Sequence, residues 1–355
     1  MRSGKKDAAI RTARRLHSDY PNLAAAHLLL VQTLAQAARP EEAIVESQAL
    51  VDRYPDSAQA LNIHAALQVM TGDPQAGIAT WERSLRAHPD QVAVHIDLAR
   101  QLLKLGHADD ARKHVDEVVQ ALPNQAPTQL LLGRILEAQG DREGATAAFA
   151  KAQALQPKDP KVLEDIAAFY VRGNHLDEAE AIFQQILDID AKYEPALLRT
   201  AMIAERQQRY DVAAKRYERL LAAYPDHLVG LNNLSWGLSE DLGRPQEAVT
   251  RAEAANRLKP GQWWILDTWS WALAKAGRYD EALRRLDEAQ QLRPDVPVLS
   301  YHRGVILSEQ GDAVGAVVAL NRALKTSSDF AEASAARALL DKLKGSSATP
   351  ATAPN

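Results

Sequence analysis

Proline recurs at Pro21, Pro55, Pro89, Pro123 and Pro157, each 34 residues after the last. Ala191 takes the next slot. Pro225 resumes the series, Pro260 follows after 35 residues, Pro294 after 34, and Ser328 falls in the slot after that. A period of this length, held along nearly the whole chain, excludes a single ordinary globular core. It requires copies of one supersecondary unit, each too small to bury its own apolar face, stacked against their neighbours.

With the proline as position 32, other positions fall into register. Position 20 holds Ala9, Ala43, Gly77, Ala111, Ala145, Ala179, Ala213, Ala248, Ala282 and Ala316. Position 8 holds Val31, Ala65, Ala99, Gly133, Ala167, Ala201, Ser235, Ser270 and Gly304. Position 15 is often glycine: Gly72, Gly106, Gly140, Gly277 and Gly311. Two helices per unit account for this. Glycine at 15 ends the first helix, where the turn favours left-handed backbone angles. Proline at 32 stops the second. Small residues at 8 and 20 let helices cross at close range. No strand-like alternation competes.

This register resembles the tetratricopeptide repeat (TPR). "GRYDEA" (Gly277–Ala282) is close to that family's consensus, and Leu131–Pro157 is the fullest match, with Gly133, Gly140, Ala145, Phe149, Ala152 and Pro157 in place. The resemblance implies an all-α fold, a right-handed superhelical solenoid of helix-turn-helix units. Nine repeats span 24–57, 58–91, 92–125, 126–159, 160–193, 194–227, 228–262, 263–296 and 297–330. Trp236 to Ala248 is one step longer than the equivalent Trp271 to Ala282, so the seventh repeat's extra residue lies within "GLSEDLG" (237–243).

Residues 1–23 read as an incomplete repeat, a second helix without its first, with Gly4 as the surviving turn glycine. That fits a chain beginning inside a larger array better than a polar N-terminal cap. Residues 331–345 read as a capping helix with Leu339, Leu340 and Leu343 on its apolar side, and 346–355 as a disordered tail.

No catalytic or cofactor motif is present: no glycine-rich phosphate loop, no G-x-S-x-G, no H-E-x-x-H. The chain has no cysteine, which excludes disulfides and thiolate ligands. His107 and His114 bracket Asp109 and Asp110, but a turn position and a helix position need not converge, so no metal site is expected. Net charge is −4, and no basic stripe with interleaved aromatics follows the N-terminal cluster of Arg2, Lys5, Lys6, Arg11, Arg14 and Arg15, so nucleic acid is not an expected partner. No apolar run approaches the length of a transmembrane helix.

The expected activity is therefore binding rather than catalysis. In TPR proteins, positions 2, 5, 6, 9, 12 and 13 of the first helix face the groove. Here they are largely apolar in the first two repeats. They turn charged in the third to sixth, with Asp97, Arg100, Arg134, Asp165 and Glu205 among them. The last three repeats present Asn232, Asn233, Trp236, Trp264, Asp267, Thr268, Trp271, Lys275, Tyr301 and His302. Large aromatics beside hydrogen-bonding groups are the material of binding hot spots. A protein segment is the expected ligand, and a polysaccharide the second class; a further alternative is that the chain forms the TPR arm of a larger enzyme. Within "WWILDTWSW" (263–271), Trp264 and Trp271 lie about 20° apart at about 100° per residue. Trp269 falls on the opposite, core side, and Trp263 stands undecided at the helix start.

"LNNLSW" (231–236), "LDTWSW" (266–271) and "YH" (301–302) also resemble bacterial cell-envelope TPR proteins of the PEP-CTERM/exosortase exopolysaccharide type. Ser235, Trp269 and Ser270 depart from that pattern. The resemblance implies an envelope or periplasmic scaffold; if Met1 is the native start, the chain is cytoplasmic.

Overall fold

The computed structural model describes residues 2–346, and every regular element among them is a helix. Of the tail assigned to 346–355, Ser346 is the last residue of a helix and 347–355 lie outside the described residues. The chain divides into two compact units at Phe169 and Tyr170. The first holds α1 (Arg2–Asp19), α2 (Ala24–Gln36), α3 (Pro40–Arg53), α4 (Ala58–Met70), α5 (Pro74–Ala87), α6 (Val92–Lys104), α7 (Ala108–Ala121), α8 (Ala126–Ala138), α9 (Arg142–Leu155) and most of α10 (Pro160–Arg172). The second holds α11 (Leu176–Ile189), α12 (Glu194–Arg206), α13 (Tyr210–Ala223), α14 (Leu228–Glu240), α15 (Pro245–Leu258), α16 (Trp263–Lys275), α17 (Tyr279–Leu292), α18 (Pro297–Gln310), α19 (Ala313–Thr326) and α20 (Ala333–Ser346).

In the first unit α2–α3, α4–α5, α6–α7 and α8–α9, and in the second α12–α13, α14–α15, α16–α17 and α18–α19, form the helix-turn-helix pairs expected of an all-α solenoid. The turn residue at position 15 has positive φ in all nine repeats: Ala38, Gly72, Gly106, Gly140, Asn174, Gln208, Gly243, Gly277 and Gly311. Three of these are not glycine, so the three-residue connection imposes the left-handed angle and glycine merely removes its strain. The extra residue of the seventh repeat sits in the turn: α14 ends on schedule, and Asp241, Leu242 and Gly243 lie between it and the Arg244 N-cap of α15.

Positions 8 and 20 are where the two helices of a pair touch. A Cβ on Gly77 would come within 2.8 Å of the Ala65 carbonyl, and one on Gly304 within 2.6 Å of Leu320. The two serines at position 8 turn this contact into a hydrogen bond: Ser235 and Ser270 Oγ donate to the Ala248 and Ala282 carbonyls, each at 2.8 Å. A hydroxyl buried there is satisfied by a carbonyl of the facing helix, which is why serine is tolerated at a position selected for smallness.

At the ends, Ile10 and Ala13 of α1 pack with Leu30, Val31 and Leu34 of α2, so α1 has a covered apolar stripe. Gly4 lies inside α1 rather than in a turn. Leu340 and Ala336 of α20 are buried against Leu320, with Leu339 and Leu343 at the margin. No helix among the described residues is long and apolar enough to cross a membrane.

Candidate partner-binding site

In the second unit, α14, α16 and α18 are the first helices of consecutive pairs and lie side by side. Their register stacks like positions: Asn232, Asp267 and Tyr301 at position 5; Asn233, Thr268 and His302 at position 6; Trp236 and Trp271 at position 9. A cavity of about 560 Å³ opens on this face, within the range of small-ligand and side-chain pockets.

Seven of the residues read from the sequence line it: Asn232, Asn233, Trp236, Trp264, Asp267, Thr268 and His302. Trp271, Lys275 and Tyr301 do not; they stand behind it. Trp271 is only 6% exposed. Its ring stacks on Trp236 (centroids 5.8 Å apart, planes at 16°) and lies 4.6 Å from the His302 ring. Its indole Nε1 donates to Glu240 Oε2 at 2.8 Å. Lys275 Nζ pairs with the same carboxylate at 3.3 Å and sits 4.8 Å from the Trp271 ring centre. Trp271 is thus a buried support that holds Trp236 and His302 in place. Tyr301 lies 5.6 Å from His302 and meets Phe330 edge-on, again as a wall behind the site.

The other two tryptophans of α16 also depart from a simple face assignment. Trp269 was expected in the core. It is half-buried, because the Arg285 guanidinium covers its ring at 4.4 Å instead of a helix. Trp263, undecided from periodicity, lines the cavity.

Hydrogen bonds fix the polar lining. His302 Nδ1 meets Asp267 Oδ1 at 2.7 Å, with both residues buried. Asn233 Nδ2 donates to the Tyr217 hydroxyl at 3.0 Å, and that hydroxyl donates to Glu205 Oε2 at 2.7 Å. Burial pushes the Tyr217 phenol up, and Glu205 beside it pushes the same way. Burial also raises the Glu205 carboxyl above the ordinary range, with Asp241 adding to the shift. The Asp241 carboxyl is raised by burial and by Glu240. The Asn232 Oδ1 atom is buried and has no hydrogen-bond partner in the protein.

The candidate set drawn from the last three repeats also left out Glu205, Tyr210, Asp241, Val298 and Glu332, all of which line the cavity. Glu205 occupies groove position 12 of the sixth repeat and Val298 position 2 of the ninth, so both carried a signal. Asp241 belongs to the lengthened turn, and the one-residue insertion marks it. Glu332 precedes α20, beyond the last repeat, where register says nothing.

As for metal-ligand groupings, His114 meets His95, with 3.0 Å between the Nδ1 atoms. One trio among the described residues, His17, His27 and Glu46 of the first unit, brings donor atoms within 4.8 Å of one another. The two imidazoles stack with centroids 4.1 Å apart, which points their ring-plane lone pairs side by side rather than at a common centre.

A stacked series of helix-turn-helix pairs with a residue-lined pocket on the first helices defines a repeat protein of the interaction-scaffold class. The tetratricopeptide-repeat family profile matches residues 69–135, 136–202 and 273–340, and a second tetratricopeptide-repeat profile matches 195–227. The chain belongs to that family. Cellulose synthase operon protein C of Xanthomonas axonopodis pv. citri is 26% identical over 301 residues, which is 85% of this chain and 18% of that protein. A TPR repeat-containing protein of Pseudomonas aeruginosa is 29% identical over 214 residues, 59% of this chain and 35% of that one. A human protein O-mannosyl-transferase is 26% identical over 184 residues, 50% of this chain and 21% of the enzyme. The chain therefore spans about a fifth to a third of the length of these relatives. Among solved structures, a tetratricopeptide repeat protein from Parabacteroides merdae superposes with a TM-score of 0.52 at 16% identity, over 71% of this chain and 98% of that one, a likeness of fold.

Proposed function

We propose that this TPR scaffold is non-catalytic and holds a protein segment on the α14–α16–α18 face, in the assembly of a bacterial envelope or exopolysaccharide-export system. The observation that carries the binding site is the aromatic cavity itself. Trp236, Trp263 and Trp264 border it, and Trp271 is spent entirely on supporting it. Burying a tryptophan to hold the half-exposed Trp236 and the buried His302 in place makes sense where the lining they form must meet something else. Support for the export setting is the likeness to cellulose synthase operon protein C along most of the chain, together with the L-N-N-L-S-W and L-D-T-W-S-W series. The same likeness supports an envelope location.

A second reading, a glycan ligand, has its own observation: tryptophan faces beside amide and carboxylate groups also suit sugar rings. A photo-crosslinking residue at Val298, on the cavity rim, separates the two in cells of the source bacterium. The expected adduct is one polypeptide of discrete mass, lost when Trp264→Ala is added. An adduct with polysaccharide, or a polypeptide adduct indifferent to Trp264→Ala, overturns the proposal.

A further inference from the structure

The cavity has a marked charge character. Its lining includes the carboxylates of Glu205, Asp241, Asp267 and Glu332, and no lysine or arginine. Acids elsewhere in the second unit are commonly matched, as in Arg244–Glu247, Arg278–Glu281 and Lys275–Glu240. In the cavity only Asp267 has a potentially cationic partner, His302. Glu205 receives a neutral hydroxyl from Tyr217. Among the described residues, Glu205, Asp241 and Glu332 form no ion pair with a basic side chain. Asn232 adds a buried amide oxygen with no donor.

Three indole rings border this acceptor-rich space. An aromatic face carries negative quadrupole charge, so it attracts cations as the carboxylates do. Each feature alone is compatible with many ligands; aromatic walls, unpaired carboxylates and an orphan acceptor together ask for a group that is flat or compact, positively charged and donor-only. Guanidinium and ammonium are the side-chain groups that meet this description. A sugar offers hydroxyls that both donate and accept, and leaves the unpaired charge uncompensated.

We propose that the cavity on the α14–α16–α18 face recognises an arginine or lysine side chain in an extended, basic segment of the partner protein. This rests on the proposal that the cavity is the partner-binding site. The cation lies between Trp236 and Trp264 and is matched by Glu205, Asp241 and Glu332. Its arrival neutralises Glu205 and Asp241, whose carboxyls are held above the ordinary range by burial, with Asp241 adding to the shift of Glu205 and Glu240 to that of Asp241.

The test is selection of a display library of random 12-residue peptides on the wild-type chain. Selected peptides are then measured on two variants, Trp264→Ala and the triple amide Glu205→Gln/Asp241→Asn/Glu332→Gln. The amides keep side-chain size, and glutamine at 205 can still accept from Tyr217; circular dichroism and thermal unfolding confirm that both variants fold. The expected result is enrichment of arginine or lysine, with affinity lowered about tenfold or more in each variant and falling with added salt. Neutral or acidic peptides that still require Trp264, or basic peptides indifferent to the triple variant, overturn the cation assignment and leave the site standing. Peptides indifferent to Trp264→Ala, or no selection at all while soluble β-glucan oligosaccharides quench tryptophan fluorescence, overturn the site and the cation assignment together.

Discussion

The two units fill the same helical slots with different chemistry. In the first, position 9 of one repeat and position 6 of the next hold Arg134 and Asp165, which form an exposed ion pair. In the second, the equivalent slots hold Trp271 and His302, buried and 4.6 Å apart. Beneath both, position 8 does the same job against position 24 of the second helix, with Gly133 against Phe149 in one unit and Gly304 against Leu320 in the other. The repeat thus separates two sets of residues. Small ones at the helix crossing build the stack, and those on the outer arc of the first helix are left to specialise. An ion pair on that arc is closed on itself; an aromatic and acidic arc leaves bonding capacity for a partner.

The comparison is broken most severely through the shared framework. Phe149 is 1% exposed and packs against Phe169 at 4.7 Å and against Gly133. Phe149→Ala should cost about 3–5 kcal/mol, seen as a large loss in the urea midpoint, although no part of the cavity is touched. Trp271→Ala should cost nearly as much, about 3 kcal/mol or more, because the ring supports Trp236 and His302 and satisfies Glu240. If Trp271→Ala unfolds no more easily than wild type, Trp271 is a contact residue rather than a support.

Next comes the Asp267–His302 pair. Asp267→Ala leaves a buried imidazole nitrogen without its partner and should cost about 1–3 kcal/mol; Asp267→Asn, which can still accept, should recover part of it. Trp264→Ala reverses the balance. The residue is half-buried on the cavity wall, so the stability loss should stay near 1 kcal/mol while partner capture falls at least tenfold. Equal losses in Trp264→Ala and Trp271→Ala would erase the distinction between wall and support.

Most of the stack was legible because the turn and the crossing are local demands. A left-handed angle writes glycine at position 15, and close helix approach writes alanine at 20. Even where position 15 reads Ala38, Asn174 or Gln208, the period alone located the turn. The cavity was legible in part, for a different reason. Helical angle reports which arc a residue occupies and not how far its neighbours close over it. Trp264 and Trp271 share an arc, yet one lines the cavity and the other is sealed by Trp236, Lys275 and Glu240. Trp269 was placed by angle on the core side, but Arg285 covers it where a helix was expected. Asp241 was reachable through the one-residue insertion, since it lies in the lengthened turn and lines the cavity. Glu332 lies outside the repeats, and only the packing of α20 brings it near.

The two smallest effects sharpen the charge contrast. Removing a pair closed on itself, by Arg134→Ala in the first unit, should change stability by less than about 1 kcal/mol, and less still at high salt. Glu205→Gln should move stability the other way. The Glu205 carboxyl is raised in the folded chain by burial, with Asp241 adding to it. The folded state therefore holds that proton more tightly than the unfolded chain does. Its contribution favours folding at pH below the ordinary carboxylate range and is lost as pH rises through the folded value. At neutral pH the ionised acid is a net cost, which the neutral amide removes while still accepting from Tyr217. Glu205→Gln should thus melt slightly above wild type at pH 7, by less than about 1 kcal/mol, and the gap should close toward pH 4. A stabilised variant that binds basic peptides less well would mean that this carboxylate is kept for its ligand against its own effect on folding. A variant that melts lower at pH 7 would show instead that the charge strengthens the Tyr217 hydrogen bond enough to hold the unit together.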